Sequence, residues 1–440
     1  MVESRPAQVS SLYVHVPFCA RKCSYCAFYS ETPADGLVDR YVSALILEIE
    51  QAAHDLQPET IFFGGGTPSL LNLRQWQQIF EEMDRFGLLG AAEWTVECNP
   101  ATVSLDKARL LRDAGVNRIS MGVQSLDEAL LDRLGRVHSR EMVFKSFDIL
   151  RRAGFENVNL DLMFAIPGQT LETWSATLAE AIALQSEHLS SYEVIYEDDT
   201  PLFSQLQAGE FAVDEDLACA MYDQLLMAAT RAGLIQYEVA NFARHTAGVR
   251  PLAAPKLPSE GGSPVAATTE TWQVSVECNQ GGLAAPTLPS EGGSPVAAIP
   301  EPPEAPSRAC LHNLNYWRGG SFYGLGPSAT SYVRGVRWRN GSNTQIYCQR
   351  LQRGRSAADS REELPPLARA GETAAFGLRV VSGVPFEQFR LTTGLDLRVE
   401  WAQDMRRLEN QGWGRVRSDR FQLTSLGLRF ADAAAELFLR

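Results

Sequence analysis

Strand-like and helix-like segments alternate from residue 11 to residue 243, and this alternation constrains the fold more than any other feature. Several strand candidates are nearly continuous apolar runs, as expected of parallel strands buried on both faces. The predicted strands span residues 11–18, 59–65, 93–100, 118–125, 157–167, 189–197 and 236–243. The first intervening segment places apolar residues on one helical face, at Val38, Tyr41, Val42, Leu45, Ile46 and Ile49. The repeated alternation predicts a parallel sheet, open or closed into a barrel, with its chemistry at the carboxyl ends of the strands.

Composition limits the partners and the location of the chain. The 440 residues carry a formal net charge of −13, which argues against broad binding to nucleic acids or anionic membranes because both need clustered positive charge. No segment approaches the roughly 20 apolar residues that span a bilayer, and the N-terminal stretch lacks the apolar core of a signal peptide. We therefore expect a cytoplasmic protein whose eight cysteines are metal ligands, reactive groups or buried side chains rather than disulfides.

Three cysteines cluster directly after the first predicted strand, in the stretch "CARKCSYC". Cys19, Cys23 and Cys26 follow the pattern C-x3-C-x2-C, and the next cysteine along the chain is Cys98. A structural zinc site needs four protein ligands, so zinc would require Cys98 or His15 as a fourth donor. A [4Fe–4S] cluster is normally held by four thiolates, so a cluster held by three leaves one iron open to an external ligand. The cysteines taken alone are compatible with both kinds of site.

The spacing C-x3-C-x2-C resembles the signature of radical S-adenosylmethionine (SAM) enzymes. The resemblance implies that the amino and carboxylate groups of SAM bind the open iron, and that the reduced cluster cleaves the sulfonium to methionine and a 5′-deoxyadenosyl radical. A SAM pocket is then expected at the other strand ends, where glycines allow close approach to the backbone and polar groups can bind an ammonium or ribose hydroxyls. The candidates are Gly65, Gly66 and Thr67 in "FFGGGTPS", Glu97 in "VECNP", Gln124 in "GVQS", Asp161 in "NLDLMFAIPGQ", and Arg136, whose planar guanidinium suits a carboxylate. Taken singly, each would be an ordinary polar residue at a strand end or on the surface.

An ordered series of motifs resembles the oxygen-independent coproporphyrinogen III oxidase-like family. The motifs are "YVHVPFCARKCSYCAFYS", "FFGGGTPS", "TVECNP", "ISMGVQS", "LDLMFAIPGQT" and "HNLNYWRGG". The likeness covers nearly the whole chain except residues 246–308. It implies an α/β fold: an incomplete (β/α)6-type radical SAM barrel with a small C-terminal helical, winged-helix-like domain. It also implies SAM as a ligand and a cytoplasmic location, and it places Tyr13 and Tyr25 near the cluster and SAM.

Two subgroups share this fold, and one position helps to separate them. The oxidases, which decarboxylate two propionates of coproporphyrinogen III, have a longer N-terminal arm and a further cysteine where this chain has Phe28. HemW-type heme chaperones have phenylalanine there and carry H-N-x-x-Y-W, which this chain has from His312 to Trp317. In that subgroup the motif is associated with heme, and neutral imidazole is a common iron ligand, so His312 is the candidate heme ligand. The alternatives are that His312 is a buried histidine tying a loop through a hydrogen bond, and that Cys310 is the ligand.

Residues 246–308 differ in kind from the rest of the chain. They hold eleven of the 23 prolines, and the stretch 252–267 returns as 283–298 with one difference, Lys256 against Thr287. This composition predicts a flexible insertion between a barrel at 1–245 and an end of the barrel region at 309–355, followed by a C-terminal domain at 356–440. Closing a loop of about 60 rather than about 4 residues costs only about 2 to 3 kcal/mol more, so a fold tolerates the insertion.

These features predict a radical SAM heme chaperone that binds a [4Fe–4S] cluster, SAM and heme. The expected partners are a reductant and recipient hemoproteins, including respiratory, membrane-associated ones, and nucleic acid is not expected. The alternative is an oxygen-independent coproporphyrinogen III oxidase, an activity that we expect to be absent. RNA modification is a third reading, and the acidic composition argues against it.

Overall fold

The computed structural model describes residues 8–245 and 306–440. The internal repeat and almost all of the predicted insertion lie outside the described residues. Six parallel strands form the centre of the largest sheet, in the order of the chain. They are β1 (Val9–Val16), β2 (Leu56–Gly65), β3 (Glu93–Cys98), β4 (Arg118–Gln124), β5 (Val158–Phe164) and β6 (His188–Glu193). The predicted (β/α)6-type barrel is confirmed.

Three short strands extend the sheet beyond these six. β7 (Ile235–Gln236) and β8 (Asn241–Ala243) are added antiparallel beyond β6, and β9 (Tyr323–Leu325) pairs parallel with β1. The prediction of one strand over 236–243 was wrong, because the chain turns between β7 and β8. Glu238 lies in that turn, where its carboxylate accepts a hydrogen bond from the Ala240 N–H at 3.2 Å, and it forms a bridge with Val380 of the C-terminal part.

Helices cover the outer face of the six parallel strands. They are α1 (Leu37–Ala52), α2 (Leu73–Arg85), α3 (Leu105–Asp113), α4 (Glu128–Arg133), α5 (Arg140–Arg152), α6 (Leu171–Ala183), α7 (Pro201–Gln207) and α8 (Glu215–Arg231), with short 3-10 turns at Ala53–Asp55, Pro68–Leu70 and Pro100–Thr102. The apolar face predicted for the first helix is confirmed, since Tyr41, Val42, Leu45 and Ile49 are buried. Outward strand residues such as Phe63, Trp94 and Met121 join them in one apolar core. None of the helices among the described residues has the length and apolar content for a bilayer crossing.

The inner face of the barrel is polar, although the strands were predicted from nearly continuous apolar runs. Residues two apart on a strand share a face, and the polar residues of the six strands fall on the inward one. We call the partly exposed inward residues at the carboxyl ends the mouth: Tyr13, Phe62, Glu97, Gln124 and Asp161. We call the buried inward residues below them the base: Ser11, Thr60, Glu93, Arg118, Ser120, Asn159 and His188.

The chain after the undescribed segment first completes the barrel region. It begins with α9 (Leu311–Trp317) and continues through β9 to a separate antiparallel sheet. That sheet comprises β10 (Thr330–Val333), β11 (Val336–Asn340) and β12 (Ala358–Glu363), with α10 (Thr344–Gln352) before its last strand. β12 therefore pairs with the preceding region, although it falls within the range 356–440 predicted for the C-terminal domain.

A small mixed domain with its own apolar core ends the chain. Its helices are α11 (Pro366–Gly377), α12 (Phe386–Thr393), α13 (Leu397–Glu400), α14 (Ala402–Asn410), α15 (Ser425–Arg429) and α16 (Ala431–Glu436). Its sheet contains β13 (Val384–Pro385), β14 (Gly414–Val416) and β15 (Arg420–Leu423), in the order β13-β15-β14. The hairpin of β14 and β15, followed by helix, matches the predicted winged-helix-like ending.

Candidate functional site

The loop that carries the three cysteines is held at the mouth by backbone hydrogen bonds. The Cys19 N–H donates to the Glu31 carbonyl at 3.0 Å, and the Glu31 N–H donates to the Pro17 carbonyl at 2.8 Å, so the loop closes on itself. The Ser24 N–H donates to the carbonyl of Leu134, beyond β4, at 2.9 Å. The loop therefore spans from β1 towards β4 across the carboxyl end of the sheet.

The thiols of this loop are free and partly buried. Burial raises the pKa of the Cys26 thiol, and the charges of Cys23 and Cys19 raise it further. A guanidinium nitrogen of Arg136, Nη1, lies 3.5 Å from the Cys23 sulfur. Among residues 8–245 and 306–440, no three His, Cys, Asp or Glu side chains are close enough to hold a single metal ion. The donor set of three thiols beside a cation suits an anionic iron–sulfur cluster.

The glycine stretch after β2 lies directly against the start of this loop. The N–H groups of Gly66 and Thr67 donate to the carbonyls of Val16 and Phe18 at 2.8 and 2.7 Å. A Cβ atom on Gly66 would lie 2.7 Å from both of those carbonyl oxygens, so only glycine permits this approach. The Thr67 hydroxyl lies 3.6 Å from the Cys19 sulfur. The cysteine loop and the glycine stretch are therefore in direct contact.

Gly65 occupies a second tight position at the end of β2. Its φ of 99° lies in the region that favours glycine. A Cβ there would lie 2.3 Å from Nδ1 of His15. The ring of His15, named above as a possible fourth zinc donor, is engaged with the Tyr13 hydroxyl at 3.0 Å and the Tyr29 carbonyl at 2.8 Å. It nevertheless forms part of the wall behind the glycine stretch.

Two carboxyl groups of the mouth lie close enough to repel each other. Burial, followed by the charge of Asp161, raises the pKa of Glu97 to about 8, and burial also raises the pKa of Asp161. Among the described residues Glu97 accepts a single hydrogen bond, from the Gly65 N–H at 3.1 Å. The weakly compensated carboxyl of Glu97, close to a second carboxyl, favours the approach of a positive charge.

Gln124 and Arg136 converge over Gly122 at the end of β4. Gln124 has a φ of 65°, a left-handed conformation that is uncommon for a side-chain-bearing residue, and the sheet register shifts at this point. The Arg136 guanidinium donates to the Gly122 carbonyl at 2.6 Å. Backbone strain of this kind clusters at ligand sites. The conformation keeps the amide of Gln124 beside the guanidinium of Arg136.

Tyr13 lies on β1, and Tyr25 lies within the cysteine loop. Tyr13 belongs to the mouth, and burial, with the charge of Glu97, raises its pKa well above the usual value. Tyr25 is part of the loop and packs against a small apolar cluster that includes Leu134 and Leu202. Burial raises the pKa of Tyr25, while nearby Arg136 lowers it. Every SAM candidate named from the sequence is therefore brought to the mouth or to its rim.

His312 is buried where the base meets the mouth, in contact with Thr60 of the base and Phe62 of the mouth. It is 1% exposed, and its ring stacks on Phe62 with centroids 5.3 Å apart. Its Nδ1 lies 2.9 Å from the Thr60 hydroxyl and its Nε2 lies 2.8 Å from the Tyr316 hydroxyl. Burial lowers the pKa of His312 to about 3. This geometry is that of the alternative considered from the sequence, a buried histidine that ties a loop, and its role as a heme ligand stays a prediction.

The residues around His312 hold α9 against the start of β3. The Glu93 carboxylate accepts hydrogen bonds from the N–H groups of Leu311 and His312, each at 2.9 Å. It also lies 3.3 Å from the thiol of Cys310, the alternative heme ligand, which is completely buried. Arg118 adds a buried positive charge nearby. The start of the H-N-x-x-Y-W motif is thus part of the closed end of the barrel.

Sequence reasoning missed several inward residues of the base, among them Ser120 and Asn159. They make hydrogen bonds to Asp161, at 3.0 Å from Ser120 and 2.7 Å from Asn159. A signal was available, because Asn159 lies two residues before Asp161 on β5 and Ser120 lies two before Gly122 on β4. Because residues two apart on a strand share a face, the residue two positions before a strand-end residue lies next to it on the inner face.

An incomplete (β/α)6 barrel with a C-x3-C-x2-C loop at its carboxyl edge defines the class of radical SAM proteins. The model of the Radical SAM superfamily matches residues 13–181, and that of the HemN C-terminal domain matches residues 364–430. The chain is 30% identical over 436 residues to the heme chaperone HemW of Escherichia coli, covering 98% of each chain. It is 30% identical over 396 residues to the heme chaperone HemW of Bacillus subtilis, covering 88% of each. The chain belongs to the HemW family of radical SAM proteins.

A solved structure supports the fold independently. Coproporphyrinogen III oxidase (HemN) from Escherichia coli, described as a radical SAM enzyme, superposes with a TM-score of 0.73 at 19% identity, covering 99% of this chain and 91% of that one. The likeness extends through the barrel and the C-terminal domain. At this level of identity it concerns the fold alone.

Proposed function

We propose that the chain is a heme chaperone in which Cys19, Cys23 and Cys26 hold a [4Fe–4S] cluster and the mouth binds SAM. The observation that carries the proposal is the meeting of three free thiols with a mouth in which burial raises the pKa values of two carboxyls, those of Glu97 and Asp161. When bound, a reduced cluster of this kind supplies the electron that cleaves the SAM sulfonium. Whether the chaperone uses that cleavage is separate from whether it binds SAM.

The residues of the mouth divide the binding of SAM between them. Asp161 and Glu97 accept hydrogen bonds from its ammonium group and ribose hydroxyls, and the approach of its positive charges favours the ionised form of Glu97. Arg136, which already contacts Cys23 and Gly122, offers its remaining N–H groups to the SAM carboxylate. Gly65, Gly66 and Thr67 allow backbone contact, Gln124 supplies an amide, and Tyr13 and Tyr25 flank the ligand.

Heme is the proposed cargo, and the names of the bacterial relatives support it. Iron binding by His312 requires that it give up its hydrogen bond to Thr60 or to Tyr316, with local movement of α9. The proposed recipients are hemoproteins, including respiratory, membrane-associated ones. A reductant is the further partner, nucleic acid is not one, and the proposed location is the cytoplasm.

Anaerobic reconstitution tests the proposal. We expect about four iron and four sulfide per chain, as a [4Fe–4S] cluster requires, with SAM bound only when the cluster is present. Heme titration of the same sample should show saturable binding, and an apo-hemoprotein should then acquire the heme. A sample that binds a zinc ion in the cysteine loop, or that ignores SAM, would overturn the proposal.

The alternative function is coproporphyrinogen III oxidation. It is considered because the chain shares its fold with the oxidase HemN. Phe28 argues against it: the ring is 70% exposed on the cysteine loop, at the position where the oxidases have a further cysteine. Incubation of the reconstituted protein with SAM, a reductant and coproporphyrinogen III decides between the two. Formation of protoporphyrinogen IX establishes the oxidase, and heme binding without decarboxylation supports the chaperone.

A further inference from the structure

A chain of hydrogen bonds runs below the mouth from Asp161 to the start of α9. The Asn159 amide nitrogen lies 2.7 Å from Oδ1 of Asp161. The Asn159 amide oxygen lies 2.7 Å from Nδ1 of His188. The opposite ring nitrogen, Nε2, lies 2.8 Å from the Tyr237 hydroxyl, which in turn accepts from the Cys310 N–H at 3.1 Å.

The donors in this chain can all point the same way. Because Asn159 presents its oxygen to His188, the imidazole must carry its proton on Nδ1. Nε2 is then an acceptor, and the Tyr237 hydroxyl donates to it. The tautomer of His188 is therefore fixed by its two neighbours. Burial, followed by the charge of Arg118, lowers the pKa of His188 well below its ordinary value, in keeping with a neutral ring.

The orientation of the Asn159 amide matters because both of its ends are engaged. Its nitrogen donates to Asp161 and to the Ser120 hydroxyl, the latter at 2.8 Å. A flipped amide would place its oxygen against the carboxylate. Ser190 also approaches the amide oxygen, at 3.1 Å, but its single hydroxyl proton is shared with Asn241, whose oxygen lies at 2.5 Å. The Nδ1–H of His188 is thus the donor committed to the amide oxygen.

We propose that His188 is a positioning residue of the SAM site: it orients Asn159, which holds the Asp161 carboxylate in the position that meets the ligand. His188 is buried in the base, and its ring bonds to Asn159, which in turn bonds to Asp161 of the mouth. The inference rests on the proposed function, since it assigns a purpose to the geometry of Asp161. It also gives His188, a buried residue of the base, an indirect role in ligand binding.

Two substitutions of His188 separate positioning from packing. The side-chain nitrogen of asparagine can lie where Nδ1 of histidine lies, so His188→Asn keeps the donor to Asn159 and loses the bond to Tyr237. His188→Gln does the reverse, because its amide reaches the position of Nε2. SAM affinity is measured by calorimetry on reconstituted protein, together with the change that SAM causes in the electron paramagnetic resonance spectrum of the reduced cluster. Thermal unfolding is measured on the same samples.

We expect His188→Gln to weaken SAM binding about tenfold, because it removes the hydrogen bond that orients Asn159 against the Asp161 carboxylate. The change that SAM causes in the spectrum should diminish as well. His188→Asn should stay within about threefold of the wild type, although it leaves the larger cavity and lowers thermal stability more. Equal SAM affinity in both variants and the wild type, or losses that follow thermal stability, would overturn the inference. If the wild type itself binds no SAM, the proposed function fails instead.

Discussion

The mouth and the base of the barrel each contain a glutamate of β3, Glu97 and Glu93, and these two side chains differ in how many hydrogen bonds the protein itself supplies. At the mouth, Glu97 accepts one hydrogen bond among the described residues and lies within repulsive reach of Asp161. At the base, Glu93 accepts from two backbone N–H groups, contacts a thiol and lies near the charge of Arg118. Buried polar groups are normally hydrogen-bonded, so a ligand at Glu97 would supply hydrogen bonds that the protein does not.

This comparison bears directly on His312. Its ring nitrogens are both engaged and its backbone N–H is bound by Glu93, so by the same criterion it belongs to the base. To bind heme iron, His312 has to break one of its existing ring hydrogen bonds. The residue type and the motif favour cofactor binding by His312, whereas its two engaged ring nitrogens favour a structural role.

The largest expected effect is on the cysteine loop. Each of Cys19→Ala, Cys23→Ala and Cys26→Ala should abolish most of the iron content after reconstitution, because two thiolates cannot retain a cluster that normally has four. Cys219→Ala, an exposed cysteine elsewhere, is the matched control and should keep the wild-type iron content. Iron analysis and the visible absorbance check this, and full iron in any loop variant would contradict the assignment.

The next effect sharpens the contrast between two glutamates four residues apart on β3. Glu93→Ala should lower the free energy of unfolding by about 2 to 4 kcal/mol, since it leaves the buried N–H groups of Leu311 and His312 without their acceptor. Glu97→Ala should leave that free energy within about 1 kcal/mol and weaken SAM binding at least tenfold. Denaturant titration and calorimetry measure both quantities. A loss of stability in Glu97→Ala together with a loss of SAM binding in Glu93→Ala would contradict the assignment of these two residues to the mouth and the base.

His312→Ala follows in size. We expect the free energy of unfolding to fall by about 2 to 3 kcal/mol, because the substitution leaves a cavity and removes two hydrogen bonds. The iron–sulfur absorbance should remain, and heme binding should weaken if the predicted ligation is correct. His54→Ala, at an exposed histidine, is the control. Unchanged heme affinity in a folded His312→Ala protein would remove this residue from the heme site and leave it in the base alone.

The smallest effect is a pH dependence of stability. The pKa of Glu97 is raised from its ordinary value to about 8, so the folded protein holds that proton more tightly than the unfolded chain. The free energy of unfolding should therefore fall as pH rises towards 8, by less than about 1.4 kcal/mol per pH unit. Glu48 and Glu238, whose pKa values burial raises to about 7, act in the same direction at lower pH.

Glu97→Gln isolates the contribution of the mouth. It should flatten the dependence between pH 7 and pH 9 while leaving the part due to Glu48 and Glu238 in place. Denaturant titrations across this range, without SAM, give the two slopes. Equal slopes in both proteins would show that Glu97 is not the poorly satisfied carboxyl that the structure describes.

The sequence allowed the mouth to be predicted but not the base. Parallel strands bring their carboxyl ends to one edge, so Glu97, Gln124 and Asp161 could be placed together from their positions after apolar runs. The partners in the base come from far apart in the chain, such as Glu93 with His312 and Asn159 with His188. No local pattern encodes such pairs. The turn between β7 and β8 was missed for a similar reason, since its bridge partner is Val380.

The electron paramagnetic resonance spectrum of the reduced, reconstituted protein, recorded with and without SAM, tests the account most directly. If three thiolates leave one iron open beneath the carboxyls of the mouth, SAM should alter the spectrum of the wild type and have a much smaller effect on Glu97→Ala at the same concentration. A spectrum that SAM leaves unchanged, in a wild-type protein with a full complement of iron, would contradict the assignment of the mouth as the ligand site.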